Sequence, residues 1–253
     1  MDTIPSVREL RERLQQTAPE GQHETYVGRT VRFFSIYLTR LFIRTSLTPN
    51  QLTILSVVVF LCGVTLFIVQ LLFAHILGVI LVYLSIVIDA CDGELARWRK
   101  NTTGVGAIYV EPLSHDIQYG LMFFPLSWGA YLATGSLIVI YAGFTATVAK
   151  LLYRFLQIRF WYVVNQGSTT PTGELEDEKG AAQVGRISLL FRLYKFFNRN
   201  VFSSVGLPVP LLIFVLLGRV DWFVYLFAAA FLAIFLANFL RQVRYILRMR
   251  ASP

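Results

Sequence analysis

The sequence predicts an all-α integral membrane protein with six transmembrane helices, preceded by an N-terminal amphipathic interfacial helix. Three observations carry this. The 253-residue chain is 55% hydrophobic and only 15% charged, where a soluble domain would have about a quarter of its residues charged; its mean hydropathy is +0.58. From residue 52 onward, apolar runs recur at lengths close to the ~20 residues that cross a bilayer. Of 23 Lys and Arg, only Arg219 falls in a predicted outer loop, which is the distribution of a polytopic protein with its basic side in the cytoplasm. The net charge of +8 is accounted for in this way, and nucleic acid is not an expected partner. Cys62 and Cys91 both sit in apolar runs, so no disulfide framework is expected.

Residues 1–26 form a polar arm of mixed charge (VRELRERL), with no long apolar run of the kind a cleavable signal peptide carries. Over 27–47, Val31, Phe34, Leu38, Leu41 and Phe42 recur at helical spacing with Arg29, Arg32, Arg40 and Arg44 between them. That pattern predicts an amphipathic helix lying in the cytoplasmic interface, its arginines toward anionic headgroups. Thr48-Pro49-Asn50 stops this helix and starts the next with a capping residue.

Residues 48–250 then form a single six-helix transmembrane domain, with spans expected at about 52–73, 76–96, 106–132, 136–163, 203–218 and 222–244. The first two are joined by a tight connection around Ala74-His75. Pro125 lies inside the third, and Pro208 and Pro210 lie near the start of the short fifth. A polar loop is expected over 164–185 and a second basic amphipathic stretch over 186–202. This order places both termini, the 97–104 turn and the 164–202 segment on the cytoplasmic side of a plasma or inner membrane.

The stretch Asp89–Asp116 concentrates the chemistry. Ionisable groups in or at the edge of a span are functional candidates by default. Asp89 and Asp92 are three apart and share a helix face; Glu111 and His115, four apart, share another. Two helix ends joined by a turn bring these pairs toward each other as a hard-oxygen cluster suited to Mg²⁺ or Mn²⁺, and hence to a diphosphate substrate. Gly93 and Ala96 leave room for close approach, and Arg97 offers a planar fork of donors to phosphate oxygens. The competing reading is a helix end carrying solvated charges. A transporter would place its ionisable groups near the midplane instead.

These residues resemble the signature of the CDP-alcohol phosphotransferase (CDP-alcohol phosphatidyltransferase) family, D-x2-D-G-x2-A-R-x8-G-x3-D-x3-D. Asp89, Asp92, Gly93, Ala96, Arg97 and Gly106 fit it position by position. Its last two aspartates would fall on Val110 and Ser114. One residue later stand Glu111 and His115 with the same separation, as if one residue were inserted and both acids replaced. Pro112 lies where it would absorb such a change of phase. The string Thr48, Pro49, Asn50, Thr53 also resembles the family.

The resemblance implies transfer of a phosphatidyl or phospho-alcohol group from a CDP-alcohol, such as CDP-diacylglycerol, to an acceptor hydroxyl, with release of CMP in phospholipid or related headgroup synthesis. It implies Mg²⁺ or Mn²⁺ on Asp89, Asp92 and Glu111. Gly93, Ala96, Arg97, Gly106 and Asn50 would lie near the CDP diphosphate. Either His115 or the adjacent Asp116 would be the base; imidazole, with an ordinary pKa of about 6.5, is suited to it. Lys150, Arg154 and Arg159 would receive a phosphate on the acceptor. Membrane lipids and a second copy of the chain, as a homodimer, are implied partners. The alternative is a non-catalytic relative that binds a CDP-alcohol without turning it over.

Overall fold

The computed structural model describes residues 5–15, 26–100, 106–166, 196–197, 200–203 and 205–251, and every regular element among them is helical. The polar arm holds a short helix, α1 (Val7–Leu14), opened by a reciprocal cap in which the Glu9 amide donates to Ser6 Oγ and the Ser6 amide to Glu9 Oε2. The Ser6 amide and hydroxyl hold the Glu9 carboxyl below its usual range. Its two leucines, Leu10 and Leu14, are buried against Ile36 and Trp98.

The amphipathic segment forms α2 (Tyr26–Phe42). It ends at Phe42 and not at residue 47, because Ile43 and Arg44 turn the chain into the Thr48 cap. One face of α2 buries Val31, Ser35, Ile36 and Thr39, while Phe33, Phe34, Tyr37 and Leu41 are exposed on the other. α3 (Pro49–Thr65) starts as its sequence requires: Thr48 Oγ1 accepts from the Gln51 amide, Gln51 reaches back to the Thr48 amide, and Pro49 occupies the first turn.

The expected break at Ala74-His75 is corrected. The chain turns earlier, through a single 3₁₀ turn at Leu66–Ile68, and α4 (Leu72–Trp98) already includes Ala74 and His75. Gln70 makes this turn possible by donating its side-chain amide to the carbonyls of Ile68 (3.2 Å) and Gly129 (3.1 Å). A five-residue π-helical turn (Gly106–Val110) leads into α5 (Glu111–Thr134), which runs through Pro125. Gly135, with φ of 67°, ends it in the left-handed conformation. α6 (Leu137–Gln166) returns antiparallel to α5. α7 (Pro208–Leu216) and α8 (Val220–Ala251) complete the described chain.

By length and composition four helical stretches among the described residues are able to cross a membrane: Pro49–Ile68, Leu72–Trp98, Leu137–Tyr162 and Val220–Leu247. α5 is 24 residues long but opens with Glu111, His115 and Asp116. α7, expected as a span over 203–218, has nine helical residues and rises roughly 14 Å, under half of a hydrocarbon core. The expected loop 164–185 and basic stretch 186–202 lie outside the described residues, save 164–166, 196–197 and 200–202.

α3 and α4 cross with their backbones in contact. A Cβ on Gly63 would stand 2.9 Å from the Gly78 carbonyl oxygen, and one on Gly78 would stand 2.7 Å from that of Gly63. Small residues at such crossings are how helices associate in lipid. The main core surrounds this crossing and extends along the bundle, with Phe67, Phe123, Phe223, Phe227 and Phe231 fully buried. Phe227 and Phe231 meet edge to face at 5.5 Å, and so do Phe123 and Phe231 at 5.9 Å; each such pair adds roughly 0.5–1.5 kcal/mol beyond burial. A second cluster (Leu52, Ile88, Cys91, Leu95) ties α3 and α4 to α2 beside the acidic end of α4.

Candidate active site

The acidic end of α4 is where α3, α4, α5 and α6 bring their polar residues together. Asp89 and Asp92 lie on one face, as their spacing predicts, and each meets a hydroxyl of α3. Thr53 Oγ1 donates to Asp92 Oδ2 at 2.5 Å, and Ser56 Oγ lies 3.5 Å from Asp89 Oδ1. Both hydroxyls are buried. From α5, His115 Nε2 stands 3.8 Å from Asp89 Oδ2, with both side chains about four-fifths covered (23% and 22% exposed). His115 Nδ1 is buried and makes no hydrogen bond.

Adjacent residues on a helix point about 100° apart, and α5 uses that difference. While His115 faces Asp89, Asp116 pairs with Arg154 of α6. Arg154 also donates through Nη2 to the Pro112 carbonyl at 3.2 Å, locking the start of α5 to α6. One turn earlier on α6, Lys150 Nζ lies over the rings of Tyr119 (4.2 Å) and Phe231 (4.6 Å), a cation–π arrangement that steadies a half-buried ammonium. The charges of Arg154 and Asp116 both act on it. Arg159 is exposed, its guanidinium 5.0 Å from the Phe155 ring.

The remaining signature residues are also accounted for. Arg97 donates its Nε to the Leu14 carbonyl at 2.7 Å. Its Nη1 and Nη2 lie over Gly93, 3.4 and 3.9 Å from where a Cβ would stand. Ala96 is half-buried on the same helix. Gly106 meets Asn50: a Cβ there would run into the Asn50 carboxamide, so the start of α3 and the π-helical turn touch only because residue 106 has no side chain. That turn takes up one residue more than an α-helical turn. It ends immediately before Glu111, and Pro112 follows in the first turn of α5.

Three carboxylates, Asp89, Asp92 and Glu111, act on one another electrostatically across this gap. As an all-oxygen, surplus-negative set they fit a hard divalent cation in kind. Among the described residues, however, no group of three or more His, Cys, Asp or Glu side chains is arranged to hold one.

Three residues were given no role by the sequence reading. Thr53 stands in the quoted TPNxxT string, and Ser56, three residues on, shares its face. Glu94 has no such signal. It is buried and accepts from Ser35 Oγ (2.7 Å), Thr39 Oγ1 (2.6 Å) and Gln15 Nε2 (2.8 Å).

Comparison with known proteins bears on the family and the fold. Residues 46–202 match the profile of a family described as CDP-alcohol phosphatidyltransferase. Two curated relatives, each named a bifunctional IPC transferase and DIPP synthase, come from Thermococcus kodakarensis (34% identical over 114 residues, 45% of this chain) and Aquifex aeolicus (32% over 127 residues, 48% of this chain). The alignments span about a quarter of those proteins' own length, 25% and 28%. A crystal structure of Mycobacterium tuberculosis phosphatidylinositol phosphate synthase with CDP-DAG bound shares the fold, with a TM-score of 0.52 and 22% identity over 81% of this chain and 91% of that one. Since the profile runs through α3, α4, α5 and α6 and covers more than half of the chain, the chain belongs to the CDP-alcohol phosphatidyltransferase family.

Proposed function

We propose that this protein transfers a substituted phosphate group from a CDP-alcohol, such as CDP-diacylglycerol, to the hydroxyl of a polar acceptor. The acceptor oxygen attacks the β-phosphorus, the bond from that phosphorus to the bridging oxygen breaks, and CMP leaves. The observation that carries this reading is His115 facing Asp89 across the α4–α5 gap, although the last two aspartates of the family signature are missing. The wide turn at Gly106–Val110 supports reading Glu111 and His115 as their replacements, one residue later.

In this reading Asp89 orients the His115 ring through Nε2, and Nδ1 is the atom that takes the proton from the acceptor hydroxyl. Asp116 is engaged by Arg154, which favours His115 as the base. Gly93 gives the diphosphate backbone-close access with Arg97 beside it, and Gly106 lets Asn50 of α3 pack against the neighbouring turn. Lys150 and Arg154 supply positive charge for an acceptor carrying its own phosphate. Mg²⁺ or Mn²⁺ would be held by Asp89, Asp92 and Glu111 and would neutralise charge on the diphosphate. The site faces the cytoplasm, on the basic side of a six-crossing bundle in which α5 and the residues around α7 supply the two crossings beyond the four apolar ones.

The test is to incubate the purified chain with CDP-diacylglycerol, Mg²⁺ or Mn²⁺ and a panel of alcohols, scoring CMP release. The expected result is turnover with at least one acceptor, lost by about 10²–10⁴-fold in His115→Ala, while that variant still binds CDP. CDP binding without turnover in the unmodified chain would favour the non-catalytic relative instead.

A further inference from the structure

We propose that α1 is a positioning element of the active site: the carbonyl at its last residue, Leu14, fixes the guanidinium of Arg97 over Gly93, and Gln15 and Glu94 hold that contact in place. The last carbonyls of any helix lack partners within it. Here the Leu14 oxygen accepts from Arg97 Nε at 2.7 Å. A guanidinium is planar, so fixing Nε fixes the direction of both remaining nitrogens. They come to lie along Gly93, the residue after Asp92, at 3.4 and 3.9 Å from where a Cβ would stand. An arginine with several rotatable bonds becomes a donor fork of set orientation, which lowers the ordering cost of binding a phosphate.

The residues on either side secure this arrangement. Gln15 Nε2 donates to Glu94 Oε1 and to the Arg32 carbonyl, both at 2.8 Å, so the residue after Leu14 is tied to α4 and α2 at once. Glu94 takes two more hydroxyl bonds from α2, through Ser35 and Thr39, and its charge acts on Arg97 from the neighbouring turn of α4. Leu10 and Leu14 press the helix onto Ile36 and Trp98. None of these groups reaches the carboxylates of the site. They act through Arg97.

This inference rests on the donor reading above, and the experiment separates the two. In the full chain, Leu10→Asp places a carboxylate in the apolar seat of α1 and detaches it, while Gln15→Ala removes only the two amide bonds. Steady-state CMP release is measured against donor and acceptor separately, in the natural chain and in Arg97→Lys. The expected result is a donor KM raised about tenfold in Leu10→Asp and several-fold in Gln15→Ala, with the acceptor KM unchanged. Neither variant should add to the donor KM already raised by Arg97→Lys. An unchanged donor KM in an active, folded Gln15→Ala overturns the proposal, and so does an effect that adds in full to Arg97→Lys. If Leu10→Asp fails to fold, Gln15→Ala decides alone. Absence of CMP release from the natural chain would instead overturn the donor reading.

Discussion

At the residue scale, the site is defined by which partner each acid has. Asp92 has a buried hydroxyl at 2.5 Å, and hydrogen bonds to charged groups contribute about 1.5–3 kcal/mol. Thr53→Val keeps the shape and removes that donor. CMP release should fall by roughly ten- to a hundredfold, with the melting temperature in detergent little changed; a fall in melting temperature that accounts for the lost activity would refute this role. The sequence exposes this contact only in part, since TPNxxT marks Thr53 without naming Asp92. Glu94 was not legible at all. Its hydroxyl partners Ser35 and Thr39 lie 59 and 55 residues away, and next to Gly93 it reads like any solvated acid at a helix end. Between His115 and Asp116 the sequence leans to His115 through its four-residue spacing from Glu111, but the pairing of Asp116 with Arg154 of α6 was not legible in it.

At the scale of elements, the register of α3 against α4 sets the hydroxyl–carboxylate contacts. Gly63 and Gly78 let the two backbones touch, and Thr53 and Ser56 then meet Asp92 and Asp89 farther along the same pair. Adding side chains at this crossing forces the helices apart, at about 1–3 kcal/mol. Gly63→Val and Gly78→Val should each lower thermal stability in detergent micelles and reduce activity, and the double variant should lose less than the sum because both damage one contact. Full additivity would mean that the two glycines serve separate contacts. The apolar runs made the long helices legible. The turn between α3 and α4 was not, since Gln70 is the one polar residue within residues 66–74 and the bonds that close the turn run from it to Ile68 and to Gly129 of α5.

For the whole molecule, the basic residues divide the chain into two sides. Arg219, in a pair with Asp221 at 3.0 Å, stands at the end opposite Lys100, which follows α4. In a Cys62→Ser background, a maleimide that does not cross membranes should label Arg219→Cys in intact cells and Lys100→Cys only after permeabilisation. The reverse pattern would invert the proposed orientation. The expectation of this asymmetry rests on composition and order alone, which is why the sequence could state it. The docking of α1 was not, because eight residues of alternating charge give no sign of which distant helix they will lie against.

The five-residue wide turn at Gly106–Val110 has a consequence for how such chains are recognised and altered. The extra residue is taken up inside the turn, so Glu111 and His115 keep the azimuth that a turn one residue shorter would give them. Removing a single amino acid there would leave both near their present bearing, whereas a deletion inside α5 would swing whatever follows it by about 100°. A fixed-gap text pattern therefore passes over a protein of this kind, and an alignment allowed to slip by one finds it.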